Sequence, residues 1–171
     1  MQKPRPEESS PFFHGYLALV PDGDLIALLQ KGVDTTVPML RALSEAAANH
    51  RYAPGKWSVK QLVGHLVDSE RILSYRALSI ARGEQQALPG FDENAYVAAG
   101  HFDQRTIASL AEELRCVRAS TLAFVAGLDL SVHTRRGIAN GAPITVRALC
   151  WILAGHERHH LKVLCERYGI G

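Results

Sequence analysis

The sequence predicts an all-α protein, a four-helix bundle with one long crossover between its second and third helices. Apolar residues recur at helical spacing in four separate stretches, and no series of alternating strands accompanies them. The 171 residues, 47% hydrophobic and 21% charged, suit one globular domain rather than a disordered, collagen-like or membrane-spanning chain. The bundle is expected over residues 21–171. Residues 1–20 form a partly flexible N-terminal extension, with Pro4, Pro6 and Pro11 interrupting any regular element.

The first helix follows Pro21, with Asp22 or Asp24 as its cap. Leu25, Leu28, Leu29, Leu40 and Leu43 mark its apolar face up to about Ala48, and Pro38 should kink or split it. After a turn at residues 52–56, Ser58 caps the second helix and Gln61 completes a capping box. Leu62, Leu66, Ile72, Leu73 and Leu78 line that helix to about Arg82, where Gly83 ends it. The segment from Gly83 to Phe102 is too polar and punctuated for a continuous helix, although Asn94 to Ala99 can form a short turn of one. Its length marks a crossover. Asp103 or a neighbour caps the third helix, which carries Ile107, Leu110, Leu114, Val117 and Val125 on one stripe and stops at Gly127. Residues 131–142 hold a short strand or a loop. The fourth helix begins after Pro143 and runs to about Tyr168, with Gly169 as its stop.

Nineteen basic against seventeen acidic residues give a net charge of +2, and the basic residues are scattered, so a nucleic-acid surface is not expected. The longest uncharged apolar runs, such as Ala148 to Ala154, are far too short to span a bilayer, and the N-terminus lacks the pattern of a signal peptide. Three cysteines, Cys116, Cys150 and Cys165, form no CxxC pair, suit a reducing compartment and read as helix-core residues. A cytoplasmic protein is expected. Neither a nucleophile elbow nor a phosphate-cradling glycine loop is present.

Eight histidines stand out, three of them at His156, His159 and His160. At about 100° per residue, the fourth helix turns His156 and His160 towards its apolar line and leaves His159 nearer the boundary. Imidazoles at i and i+4 share a helix face and can hold one divalent ion, but a two-histidine site needs a third donor. His65 falls beside the apolar line of the second helix, where Gly64 and Ser69 are small enough to leave room for its ring. Three histidines leave a fourth coordination position open, the pattern of catalytic sites. Each histidine also reads as a hydrogen-bonded core residue; Asp68 and Glu157 read either as carboxylates holding ring N–H groups or as solvated or salt-bridged surface residues, and Arg71 is equally open.

Four segments together resemble the DinB-like superfamily, the damage-inducible family that includes bacillithiol transferases. They are Pro54-Gly55-Lys56-Trp57-Ser58, Gly64-His65-Leu66-Val67-Asp68-Ser69-Glu70, Leu88-Pro89-Gly90-Phe91-Asp92-Glu93 and Gly155-His156-Glu157-Arg158-His159-His160. The resemblance implies an up-up-down-down bundle and a divalent metal, usually nickel or zinc, held by His65, His156 and His160. It also implies a homodimer, and either thiol S-transfer with a low-molecular-weight thiol such as bacillithiol or mycothiol, or metal-dependent hydrolysis. The expected function is therefore a metal-dependent enzyme of the thiol S-transferase type, acting on a small molecule. In the hydrolytic alternative, Asp68 or Glu157 would serve as base. The non-catalytic alternative is a metal-stabilised binding module, and a ligand-sized cavity beside the metal position would favour catalysis over it.

Overall fold

The computed structural model describes residues 1–171 and contains seven α-helices and one hairpin. The helices are α1 (His14–Ala18), α2 (Leu25–Arg41), α3 (Glu45–Ala48), α4 (Val59–Ala81), α5 (Glu93–Ala99), α6 (Ile107–Ala126) and α7 (Val146–Tyr168). The hairpin pairs β1 (Arg136–Ala139) antiparallel with β2 (Ala142–Thr145). Side-chain caps set the starts of the four long helices: Asp24 accepts from the Ala27 N–H, Ser58 from Gln61, Thr106 from Ser109 and Thr145 from Ala148. The expected capping box is present, with the Gln61 side chain accepting from the Ser58 N–H.

Of the caps expected for the third helix, Asp103 is engaged by the Ser58 hydroxyl and by Arg51, and its neighbour Thr106 takes the cap. The first predicted helix ends at Arg41, soon after Pro38, and its remainder is the separate turn α3. The tip of the hairpin is Asn140-Gly141, both at positive φ (52° and 74°), the backbone that a tight two-residue turn between twisted strands requires.

Four long helices, α2, α4, α6 and α7, make the bundle, and its directions correct the up-up-down-down expectation. Arg41 at the end of α2 pairs with Glu112 near the start of α6, so these two run antiparallel. Tyr168 at the end of α7 donates to the Trp57 carbonyl just before α4, so they also oppose each other. Ser74 and Thr121, both late in their helices, meet across α4 and α6, which therefore run parallel. The order is up-down-down-up. The core divides accordingly, with the starts of α2 and α7 packing against the ends of α4 and α6 in one half, and the reverse in the other. Two parallel neighbours cannot be joined by a tight turn, and the long crossover between α4 and α6 follows.

One buried ion network ties all four long helices together. Arg118 of α6 donates from Nε and Nη2 to both Glu70 oxygens on α4 at 2.7 and 2.8 Å, and from Nη1 to Glu157 Oε2 on α7 at 2.8 Å and to the Leu29 carbonyl on α2 at 2.9 Å. Glu157 Oε1 accepts from the Thr36 hydroxyl of α2. Burial works against a charged Arg118, yet the Glu70 and Glu157 carboxylates hold its pKa above the ordinary value. Gly32 makes room for the network, because a Cβ there would lie 2.3 Å from Glu157 Oε2.

The N-terminal segment belongs to the same packed unit. Leu17 and Val20 enter the core, and the backbone of Tyr16 lies so close to Gly155 that a Cβ there would sit 2.3 Å from the Tyr16 carbonyl oxygen. Buried Glu8 receives hydrogen bonds from Arg147 and the Thr145 hydroxyl. Of the cysteines, Cys150 is buried as expected, whereas Cys116 and Cys165 are exposed; all three are free thiols. No helix is long and apolar enough to cross a membrane.

Replacing Arg118 by Ala leaves Glu70 and Glu157 as buried, uncompensated carboxylates and is expected to cost about 3–5 kcal/mol in urea unfolding. The exposed Arg115→Ala control should cost under about 1 kcal/mol; equal costs would remove the network from its central place. Burial would raise the Glu8 carboxyl, but hydrogen bonds from Arg147, the Arg5 N–H and Thr145 lower it from 4.5 to about 2. Its folded value being depressed, the contact stabilises fully above pH 4.5 and is lost as pH falls towards 2. Amide exchange of residues 1–20 should therefore accelerate over that window in the native chain. Glu8→Gln should abolish the pH dependence, and an unchanged profile would refute the assignment.

Candidate metal centre

Two helices bring three imidazoles to one point. His65 lies in the first half of α4, and His156 and His160 lie one turn apart on the facing side of α7. His156 Nε2 is 3.2 Å from His65 Nε2 and 3.2 Å from His160 Nε2, and one ligating atom from each ring falls within 4.8 Å of the others. Trp57 packs on His65 with ring centroids 4.9 Å apart, and Tyr16 meets His156 edge-on at 5.6 Å. The space beside Gly64 is filled by the Phe102 ring rather than kept free for the imidazole, since a Cβ on Gly64 would lie 2.3 Å from it.

Burial keeps the three rings neutral. It lowers His65 to about 4 and His160 to about 3, and drives His156 well below the ordinary value, with neighbouring histidines adding to the effect. Neutral imidazole is the metal-binding form. His156 is placed to share an ion with each of the other two, since nitrogens 3.2 Å apart subtend about 100° at an ion about 2.05 Å from both. The Nδ1 of His160 is buried without a partner, which leaves Nε2 as the atom through which this ring meets the cluster. The donor set therefore fits a divalent transition-metal ion such as zinc or nickel.

The triad forms part of the wall of a cavity of about 290 Å³. Phe12, Phe13 and Tyr16 from the N-terminal segment, Phe91 and Glu93 from the crossover, and Arg76 from α4 share that wall. His159 lies there too, edge-on to Tyr16 at 5.1 Å.

The expected carboxylates are elsewhere. Both oxygens of Glu157 are committed to Thr36 and Arg118. Asp68 is half-buried and outside the cavity wall; burial raises its pKa, with Arg71 opposing and Glu113 reinforcing that shift. Arg71 pairs with Glu113 at 2.7 Å. The acidic residue of the cavity is Glu93, whose charge acts on His65 and on Tyr16. It closes the Leu88–Glu93 segment, a motif visible in the sequence. Arg76 was also within reach of helical geometry, lying eleven residues after His65 and only about 20° from it around α4.

The sequence matches the DinB superfamily over residues 28–164, and the chain belongs to that superfamily. It matches no curated protein. Among solved structures it is similar to YfiT from Bacillus subtilis, described as a probable metal-dependent hydrolase with an unusual four-helix bundle topology. That likeness has a TM-score of 0.75 at 19% identity and covers 89% of this chain and 94% of the other.

Elemental analysis of the purified protein is expected to find about one divalent ion per chain. His65→Ala and His156→Ala should lose it and His159→Ala should keep it. Failure of the wild type to retain nickel or zinc after reconstitution would refute the centre.

Proposed function

We propose that this chain is a metal-dependent enzyme that hydrolyses a small organic molecule, with His65, His156 and His160 holding the ion. The observation that carries the reading is the convergence of three neutral imidazoles on the wall of a ligand-sized cavity. Such a cavity favours catalysis over a metal held only for stability. The ion, when bound, supplies Lewis acidity, lowering the pKa of a nucleophile beside it and polarising the bond under attack.

The chain's own groups account for the rest. Glu93 accepts a proton from the attacking water as its oxygen bonds to the electrophilic carbon, and that proton then passes to the departing group. The phenol of Tyr16, kept protonated by burial and by the Glu93 charge, offers a hydrogen bond from the same wall. The rings of Phe13, Trp57 and Phe91 supply apolar wall beside the triad.

The likeness to YfiT, described as a probable metal-dependent hydrolase, supports hydrolysis. The DinB-like resemblance supports the thiol reading, and it also supports a homodimer. The three free thiols are consistent with a reducing, cytoplasmic setting.

Metal-loaded protein assayed against activated esters and amides, with and without added low-molecular-weight thiol, separates the two chemistries. Thiol-independent turnover is expected, lost in His156→Ala and reduced about 10²–10⁴-fold in Glu93→Gln with metal content unchanged. Turnover that requires the thiol and yields its conjugate would replace hydrolysis with transfer.

A further inference from the structure

Buried cations elsewhere in the chain are paired. Arg118 meets Glu70 and Glu157, Lys60 meets Glu45 at 2.6 Å, and even the half-buried Arg147 meets Glu8. Arg76 is the exception. It is only 5% exposed, yet it forms no ion pair; its one hydrogen bond runs from Nη2 to the Pro89 carbonyl at 2.6 Å, and its guanidinium lies 5.9 Å from the centre of the Phe91 ring. A guanidinium carries five N–H donors, and one bond to a carbonyl leaves most of that capacity unused. Burial works against its charge, and no carboxylate of the chain offsets the effect. The side chain lines the same cavity as the histidine triad.

We propose that Arg76 is an anion-binding residue, whose guanidinium takes the carboxylate end of the small molecule that occupies the cavity. Its place on α4 defines what that molecule looks like. His65, Ser69, Leu73 and Arg76 form one stripe along the helix, and His65 and Arg76 are about 16 Å apart in axial rise. Both side chains lean towards the helix N-terminus, so Arg76 reaches back along the cavity in the direction of the triad. Leu73, Ile152 and Phe91 supply apolar wall.

The cavity is also polarised. The Glu93 charge is felt by His65 and Tyr16 at the triad end, and Arg76 supplies the positive charge elsewhere on the wall. A ligand with a carboxylate at one end, an apolar or aromatic middle and its reactive bond at the other end matches this order of groups. A planar fork suits a carboxylate because two parallel N–H donors can meet its two oxygens. Clamping the crossover through Pro89 alone needs one donor and no buried charge, so that contact does not account for an arginine at this position. Placing the reactive end at the triad rests on the proposed metal centre; capture of the carboxylate by Arg76 does not.

Calorimetric titration with 3-phenylpropanoate and with its neutral amide, on metal-free and metal-loaded protein, tests the proposal. Wild type is expected to bind the acid at least about tenfold more tightly than the amide in both forms. Arg76→Met should abolish that preference while leaving amide binding, metal content and melting temperature near wild type. Arg76→Lys keeps a charge without the fork and should retain only part of the preference, and it carries the test if Arg76→Met does not fold. Equal binding of acid and amide, no binding of either probe, or a preference that survives in Arg76→Met would overturn the proposal. A preference confined to metal-loaded protein and unaffected at Arg76 would assign the anion to the metal centre, sinking this proposal and leaving that centre intact. An acid preference that depends on Arg76 in a protein that binds no metal would uphold this proposal and sink the metal reading.

Discussion

The contact of Arg118 with Glu70, Glu157 and the Leu29 carbonyl constrains every long helix of the bundle at once. Apolar packing alone tolerates sliding and rotation of one helix against another, since most hydrophobic contacts are non-directional. A bidentate guanidinium is not tolerant in that way. Glu157 immediately follows His156 in sequence and Glu70 comes five residues after His65, so fixing the two carboxylates on one arginine fixes the axial register and rotation of α7 against α4. The histidines then meet on another side of the same helices. Buried ion networks are weak evidence for net stability, and here the network is better read as a device for register.

The crossover builds the other half of the cavity. Because α4 and α6 run parallel, the chain must return the length of the bundle between them, and it uses this passage to carry Phe91 and Glu93 to the site. The hairpin holds that passage in place: the Leu88 N–H donates to the Ile138 carbonyl and the Asn140 N–H to the Leu88 carbonyl. Gly90 allows the Asn140 side chain to lie against it, as a Cβ there would meet Asn140 Oδ1 at 2.1 Å. A short sheet, which also lends Ala139 and Ile144 to the core, thus sets one wall of the site.

Much of this was legible in the sequence, for reasons that are local. Caps and stops are short-range signals, so Ser58, Gln61, Gly127 and Gly169 marked helix ends that the structure reproduces. The i, i+4 pair on α7 and the inward His65 followed from helical geometry alone. Helix direction was also present in the connection lengths, since a single long crossover between the second and third helices makes those two parallel, which up-up-down-down does not allow. What the sequence hid was long-range. Glu157 shares its helix with the triad and invited a role beside it, but its partner Arg118 is 39 residues away and nothing local announces the pairing. Glu8 is similarly paired across 139 residues, which is why a proline-rich segment read as a loose extension is packed. Cys116 and Cys165 sit on helices yet face solvent, because a small apolar residue carries little information about which face it occupies.

The N-terminal segment shows how stability and site are joined. Gly155 directly precedes His156, and only a residue without a side chain lets the backbone of Tyr16 approach α7 this closely. That approach lays the Tyr16 ring against both His156 and His159 and brings Phe12 and Phe13 to the cavity wall. Docking is secured at a distance by Glu8 on Arg147 and Thr145, at the start of the helix that carries the histidines. The same α7 therefore anchors the segment at its first turn and receives its aromatic side chains about three turns later, at the triad. Desolvation keeps the imidazoles in their metal-binding form, and at His156 the Tyr16 ring adds to the cover that the bundle core supplies.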